Sequence, residues 1–150
     1  MIGARQKIWI IGGSSGIGEA LAKAYAARGA LVVISGRRRD ALDAALGRIG
    51  PGHFAAQADA ESPESLQAVA DLHGPFDAVI TTAAIYEPGP VAKADQKKAE
   101  AIFSVNLVGT FNVALVARGA LRRGGKLVLF GSAAAIFGLP NGQAYSATKA

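Results

Sequence analysis

The sequence of 150 residues contains no cysteine, so disulfide bonds and thiolate metal sites are excluded, and we predict no metal centre. Charged residues are also scarce, at 18%, whereas 51% of the residues are hydrophobic. Intrinsically disordered chains show the opposite balance. We therefore expect a globular protein in which residues 1–150 form one domain with a sizeable core.

Acidic residues are in the minority, with 11 against 16 basic ones, and the formal net charge is +5. Such a balance can indicate a partner rich in phosphate, such as nucleic acid. The basic residues cluster densely only at Arg37-Arg38-Arg39, where binding of a single phosphate group is the narrower explanation. We predict no nucleic-acid partner.

The sequence has little that resembles a targeting or membrane segment. Residues 1–7 contain no apolar signal core, and Ile2 stands where an N-myristoylation signal requires glycine. Residues 101–117 are apolar, but they include Ser104 and Asn106 and are too few to cross a bilayer as a helix. A helix buried in protein explains them better. We expect a cytoplasmic protein without a membrane partner.

A glycine-rich turn at residues 11–18 (Ile-Gly-Gly-Ser-Ser-Gly-Ile-Gly) separates two contrasting segments. Residues 7–11 are short, β-branched and aromatic, as in a strand buried on both faces of a parallel sheet. From Ile17 to Tyr25, apolar residues recur at helical spacing. Glycines in such a turn let the backbone approach a pyrophosphate, which the helix N-terminus attracts. The spacing G-x-x-x-G-x-G differs from the G-x-G-x-x-G of most dinucleotide-binding folds, so a flexible loop is the alternative.

Strand and helix patterns alternate along the rest of the chain. The predicted strands are 7–11, 31–35, 53–58, 76–82 and 126–131, and the predicted helices are 17–28, 40–49, 63–72, 95–121 and a last one from about 144. Ser62-Pro63-Glu64 is typical of a helix start, with a capping serine, a proline and an acidic residue in the first turn. This order predicts an α/β fold, a doubly wound parallel sheet with helices on both faces and a ligand at the carboxyl ends of the strands.

Three residues near the end of the chain carry candidate chemistry. Ser132 follows the fifth predicted strand, and Tyr145 and Lys149 lie one helical turn apart, on one face of a helix. A tyrosine normally keeps its proton at neutral pH, but a neighbouring ammonium group favours the phenolate and so makes Tyr145 a candidate general acid and base. The alternative is an amphipathic pair on an exposed helix.

With these residues the sequence resembles the short-chain dehydrogenase/reductase family, over almost all of the chain. The family's glycine pattern, its catalytic serine, tyrosine and lysine, its catalytic asparagine and its adenine-contacting aspartate are all present. The glycine pattern is Gly12, Gly16 and Gly18, and the catalytic serine, tyrosine and lysine are Ser132, Tyr145 and Lys149. The catalytic asparagine is Asn106, and the adenine-contacting aspartate is Asp59. The residues alone also allow Asn106 to be a buried polar residue of its helix and Asp59 to be a turn residue.

The resemblance implies a Rossmann-like, NAD(P)-dependent oxidoreductase. Tyr145 would exchange a proton with the substrate oxygen while hydride passes between the nicotinamide and a ketone, an aldehyde or a secondary alcohol. Lys149 would hold the nicotinamide ribose and favour the phenolate. Ser132 would orient the carbonyl, and Asn106 would hold a water molecule in a proton relay.

The end of the second predicted strand bears on the choice of cofactor, because it lacks an acidic residue. An acid there would hydrogen-bond to the adenosine ribose and repel a 2′-phosphate, whereas arginine pairs with that phosphate. The chain has Gly36 where the family has its discriminating aspartate, followed by Arg37 and Arg38. We predict NADP(H), with NAD(H) as the alternative; a solvated helix start is the other explanation of the arginines. The predicted cofactor-binding residues are Gly12, Ser14, Ser15, Gly16, Ile17, Gly18, Arg37, Arg38, Asp59, Ala83, Tyr145 and Lys149.

Some features depart from the family pattern. Ile11 replaces a threonine, and residues 81–84 (Thr-Thr-Ala-Ala) replace Asn-Asn-Ala-Gly, which affects cofactor affinity more than chemistry. Family members continue past their lysine through two more strands, so we expect the C-terminal part of the fold to be absent from this chain. The resemblance implies a homodimer or homotetramer. The alternative to an enzyme is a module that binds or senses NAD(P) without turnover.

Overall fold

Five parallel strands form one sheet in the order β3-β2-β1-β4-β5 in the computed structural model, which describes residues 5–150. Part of the segment predicted to lack a signal core, residues 1–4, lies outside the described residues. The strands are β1 Lys7–Ile11, β2 Leu31–Gly36, β3 Phe54–Gln57, β4 Phe76–Thr81 and β5 Leu121–Leu129. The strand order reverses between β1 and β4, so a crevice for a ligand opens there at the carboxyl ends. The predicted α/β fold is confirmed.

Helices connect the strands and cover both faces of the sheet. They are α1 Gly16–Ala27, α2 Arg39–Ile49, α3 Pro63–His73, α4 Gln96–Phe103, α5 Thr110–Ala120 and α6 Gln143–Lys149. The predicted start of α3 is confirmed, because the Ser62 side chain accepts a hydrogen bond from the Ser65 backbone N–H. The sequence predicted one continuous helix over 95–121, but a π-helical turn at Ser104–Gly109 separates α4 from α5.

The core has two layers because the central strands are buried on both faces. On one face Trp9 and Phe76 stack with ring centroids 5.3 Å apart, beneath α3 and α5. On the other face Ile8 and Ile10 of β1 pack with Leu42 of α2 and with α1. The indole N–H of Trp9 donates to the hydroxyl of Ser35 at 2.9 Å, so this buried polar pair is satisfied.

The fifth strand begins earlier than the sequence predicted. β5 starts at Leu121, which pairs with Phe76, and an irregularity in the pairing follows before Lys126 pairs with Ala78. Gly124 has a φ of +82° within this irregular stretch, so the Gly124-Gly125 turn is part of the strand rather than its boundary. Residues 127–130 are 36–47% exposed, unlike the central strands, and β5 is one of the two outer strands of the sheet.

By length and composition, the 25-residue helical stretch Gln96–Ala120 could cross a membrane. In this fold one side of it packs against the sheet, with Val113 and Ala117 in the core. The side-chain amide of Asn112, also buried, donates to the Ala60 carbonyl at 3.1 Å. These contacts bury one side of the stretch in the core.

Candidate functional site

The glycine turn is fixed to the ends of the strands on either side of it. The backbone N–H groups of Gly12 and Gly13 both donate to the Ser35 carbonyl, at 2.8 and 3.1 Å. From the other side, the Thr82 hydroxyl lies 3.2 Å from the Gly12 carbonyl and 3.3 Å from the Ile11 carbonyl. Thr82 thus supports the turn at a position where the family has asparagine.

Two of the pattern glycines meet different requirements. A Cβ on Gly18 would stand 2.2 Å from the Gly12 carbonyl oxygen and 2.6 Å from the Thr82 hydroxyl, so α1 approaches the turn more closely than a side chain permits. Gly16 has a φ of +52°, and a Cβ there would meet no atom within 4 Å. Gly18 is therefore needed for the close packing of α1 against the turn. Gly16 is needed for its positive φ, at a place where the space beside it is open.

The start of α1 is arranged to receive an anion. Ser15 precedes the helix and makes no side-chain hydrogen bond to its first turn. The first N–H groups of a helix need partners, and together with the helix dipole they attract phosphate. An open cleft adjoins them, so the residues present fit the pyrophosphate of a dinucleotide.

That cleft has a volume of about 380 Å³ and brings the predicted cofactor residues together. It is lined by Gly12, Ser14, Ser15, Gly16, Ile17, Gly18, Arg37, Arg38, Asp59 and Ala83. Tyr145 and Lys149, the two remaining predicted cofactor residues, line an adjoining cavity of about 130 Å³. Ile17, Thr82, Ala83 and Ala84 line both spaces, so the two lie side by side.

The three consecutive arginines lie in different surroundings. Arg39 is held by Asp43 through two contacts of 2.9 Å on the surface of α2, as the solvated-helix alternative predicts. Arg37 and Arg38 instead line the cleft, and Arg37 lies within 3.9 Å of the Glu61 carboxylate. Only two of the three arginines therefore lie where they could contact a ligand in the cleft.

Asp59 has a local structural role as well as a place in the cleft. Its carboxylate accepts a hydrogen bond from the Glu61 N–H at 3.0 Å, and its own N–H donates to the Ser65 hydroxyl at 2.9 Å. Asp59 is therefore a turn residue that also lines the predicted adenosine end of the cleft.

Tyr145 and Lys149 lie on the same face of α6, as their spacing predicts. The Lys149 ammonium is 5.7 Å from the centroid of the Tyr145 ring and donates to the Phe130 carbonyl at 3.0 Å. This bond fixes the lysine to the end of β5. The ring of Tyr86 meets Tyr145 edge-on at 5.0 Å, a contact that no local sequence pattern indicated.

Asn106 is 3% exposed and lies in the π-helical turn. Its side-chain oxygen accepts from the Ile85 N–H at 2.8 Å, and its amide donates to the Ile85 carbonyl at 3.0 Å and to the Thr148 hydroxyl at 3.2 Å. Asn106 is thus a satisfied buried polar residue that connects three segments. Thr148, which sequence reasoning did not select, donates in turn to the Tyr145 carbonyl at 2.7 Å.

Ser132 lies just beyond the Tyr145 cavity. Gly131 lines that cavity, and the Ser132 oxygen accepts a hydrogen bond from the Ala134 N–H at 3.1 Å. The serine thereby starts a short helical turn at Ala133–Ala135, between the fifth predicted strand and the last predicted helix. Its catalytic role stays a prediction.

Comparison with known proteins gives the same family as the residues do. The family model described as short chain dehydrogenase matches residues 6–150. The chain belongs to the short-chain dehydrogenase family. It is 35% identical to oxidoreductase asL5 of Sarocladium schorii over 94% of this chain and 59% of that protein. It is 33% identical to sorbitol dehydrogenase of Cereibacter sphaeroides, over 94% of this chain and 58% of that protein.

The fold of this short-chain dehydrogenase also matches solved structures. A short-chain dehydrogenase of Brucella melitensis titled glucose/ribitol dehydrogenase superposes with a TM-score of 0.90 at 29% identity, covering 96% of this chain and 64% of that one. The chain thus spans about 60% of the length of the relatives it matches.

Proposed function

We propose that this chain is an NADP(H)-dependent oxidoreductase that acts on a ketone, an aldehyde or a secondary alcohol. The observation that carries the proposal is that the two spaces described above lie side by side. A phosphate-binding turn borders the larger one, and Tyr145 and Lys149 border the smaller. The relatives' names, which include oxidoreductase and sorbitol dehydrogenase, support this reaction class.

In the proposed reaction the nicotinamide ring supplies or accepts the hydride. Tyr145 gives a proton to the substrate oxygen in reduction and removes it in oxidation. Lys149, whose ammonium lies 5.7 Å from the centroid of the Tyr145 ring, would hold the ribose of the nicotinamide. Ser132 donates a hydrogen bond to the substrate oxygen. Because its oxygen already accepts from the Ala134 N–H, the hydroxyl hydrogen is the part of Ser132 that is available for this.

Arg37 and Arg38 support the choice of NADP(H) over NAD(H). Both line the cleft, and Gly36 places no carboxylate at the end of β2. Guanidinium groups bind phosphate with paired, charge-assisted hydrogen bonds, so they favour the cofactor that carries a 2′-phosphate.

The test is a titration with NADPH and with NADH, followed by calorimetry and by the fluorescence of Trp9, the one tryptophan of the chain. NADPH should bind more tightly, and Arg37→Ala should weaken NADPH while sparing NADH. A panel of ketones and aldehydes is then compared between the wild type and Tyr145→Phe, which should bind cofactor and lack turnover. If neither nucleotide binds, the proposal fails.

A module that binds NAD(P) without turnover is the second candidate. It is favoured by residues 81–84 (Thr-Thr-Ala-Ala), which replace the Asn-Asn-Ala-Gly of the family. Cofactor binding without reduction of any carbonyl in the panel, and without a difference between wild type and Tyr145→Phe, would support this candidate instead.

We also propose that the protein forms a homodimer or homotetramer through the helical stretch that contains Asn106. Four exposed apolar residues follow one another at intervals of four along it, which places them on one stripe: Phe103, Leu107, Phe111 and Leu115. Sedimentation analysis should show an oligomer that Phe111→Glu dissociates. Leu72→Glu, on the exposed surface of α3, is the matched control and should leave the assembly intact.

A further inference from the structure

Glu61 connects the arginine at the cleft to the π-helical turn. One carboxylate oxygen accepts a hydrogen bond from the Ser104 hydroxyl, and the other lies 3.9 Å from the Arg37 guanidinium. The Glu61 side chain is 33% exposed, whereas that of Arg37 is 58% exposed. The carboxylate is therefore anchored, and the guanidinium is the freer of the two partners.

The contact between Arg37 and Glu61 is weak compared with its neighbour. Arg39 and Asp43 meet through two contacts of 2.9 Å, while Arg37 and Glu61 share a single approach of 3.9 Å, beyond hydrogen-bond distance. Arg37 thus retains most of its donors for another anion. A phosphate group on the adenosine ribose would be a stronger partner, because it offers several oxygens and more charge.

We propose that Glu61 is a second determinant of cofactor choice, because its carboxylate competes with the adenosine 2′-phosphate for Arg37. This inference rests on the proposed function. A nucleotide with a 2′-phosphate displaces Arg37 from Glu61 and brings its own negative charge near a fixed carboxylate. A nucleotide without that phosphate neither displaces Arg37 nor brings a second negative charge near Glu61. Glu61 therefore reduces the preference for NADP(H) over NAD(H) that Arg37 creates.

The test measures binding, so it is independent of turnover. Adenosine 2′,5′-bisphosphate and adenosine 5′-monophosphate differ only in the 2′-phosphate, and calorimetric titration gives the ratio of their Kd values. Glu61→Gln should raise the preference for the bisphosphate about twofold to fivefold, the range expected of an exposed ion pair. The increase should shrink at high ionic strength, since exposed charges are screened.

Glu64→Gln is the matched control. It removes the same charge three residues away, where the carboxylate accepts from the Ser62 hydroxyl at the start of α3. It should leave the ratio unchanged, which separates competition for Arg37 from the general effect of net charge. Glu61→Ala is a second variant that should act like Glu61→Gln, and thermal unfolding of each variant verifies that the fold is retained.

The double variant Arg37→Ala/Glu61→Gln tests whether Glu61 acts through Arg37. In the Arg37→Ala background, the further change at Glu61 should no longer alter the ratio. The inference is overturned if Glu61→Gln lowers the preference for the bisphosphate or leaves it unchanged, or if its effect persists without Arg37. If the wild type binds neither nucleotide, the proposed function itself fails, and this outcome is distinct from binding without a shift.

Discussion

The side-chain amide of Asn106 lies 3.2 Å from the hydroxyl of Thr148, and this hydrogen bond joins the π-helical turn to α6. The hydroxyl continues the connection by donating to the Tyr145 carbonyl at 2.7 Å. The backbone of the candidate catalytic tyrosine is therefore coupled to a helix that lies elsewhere in the sequence. π-helical turns occur frequently at functional sites, and here the turn presents Asn106 to two other segments.

Asn106→Ala should destabilise the protein by about 2–3 kcal/mol, because it leaves the Ile85 N–H and carbonyl without their partner in a buried setting. Thr148→Val should cost less, about 1 kcal/mol, since one amide hydrogen and one carbonyl lose a partner. Urea denaturation measures both. In a double-mutant cycle the two effects should not add, and full additivity would show that the two residues do not interact.

Gly18→Ala should abolish cofactor binding, because the new Cβ would stand 2.2 Å from the Gly12 carbonyl and force the turn apart. Gly47→Ala is the matched control. Gly47 lies exposed in α2, where a Cβ would meet no atom within 4 Å, so alanine there should stabilise the protein by about 0.5–1 kcal/mol. Calorimetric titration with NADPH measures cofactor binding by the two variants, and thermal unfolding measures their stability. Undiminished binding by Gly18→Ala would refute the packing role of this glycine.

Glu19 should titrate far below its usual range. Its carboxylate, on α1, contacts Arg48 of α2 at 2.7 and 2.9 Å and Lys23 at 2.7 Å, and these partners lower its pKa from 4.5 to about 2. Ionisation is favoured in the folded state, so the stabilising effect is complete above pH 4.5 and disappears as the pH falls towards 2. Carboxyl chemical shifts followed by NMR against pH measure this midpoint.

The same titration has an internal control. Hydrogen bonding to Arg48 is the largest cause of the lowered pKa of Glu19, and Lys23 is the next. Arg48→Ala should therefore return the midpoint further towards 4.5 than Lys23→Ala does. The reverse order would mean that the contact between α1 and α2 is not the main stabiliser of this charge.

Ser35→Ala should destabilise the protein by about 1–3 kcal/mol, because the buried indole N–H of Trp9 loses its acceptor. The emission of this single tryptophan should change at the same time, which gives a local measure of the defect. In a Trp9→Phe background, Ser35→Ala should cost much less, since no indole N–H is left unpaired. An equal cost in both backgrounds would show that the hydrogen bond is not responsible.

Much of the fold could be predicted because its signals are local. Runs such as residues 7–11 are too apolar to be anything but buried strands, and the serine and proline at 62–63 start α3 as expected. The cleft could be predicted because a glycine turn and two arginines at strand ends must meet at one edge of a parallel sheet.

The remaining features depend on tertiary contacts. The apolar spacing over 101–117 continues through the π-helical turn, so the extra residue per turn leaves no mark in the sequence. Residues 122–125 look like a turn, yet pairing with β4 draws Leu121 into the sheet. The contact between Glu61 and Arg37 joins two loops that are far apart in the chain, so no spacing could have revealed it.

The outer edge of β5 is a place where the sheet of residues 5–150 can pair with a further strand. Backbone N–H and carbonyl groups on that edge face no further strand among residues 5–150, and Leu127, Val128 and Leu129 beside them are partly exposed. Such an edge is a template for strand addition by another chain. Lys126 is the only charged residue among residues 126–130. We therefore expect β5, rather than the well-packed centre of the sheet, to be where a further strand adds.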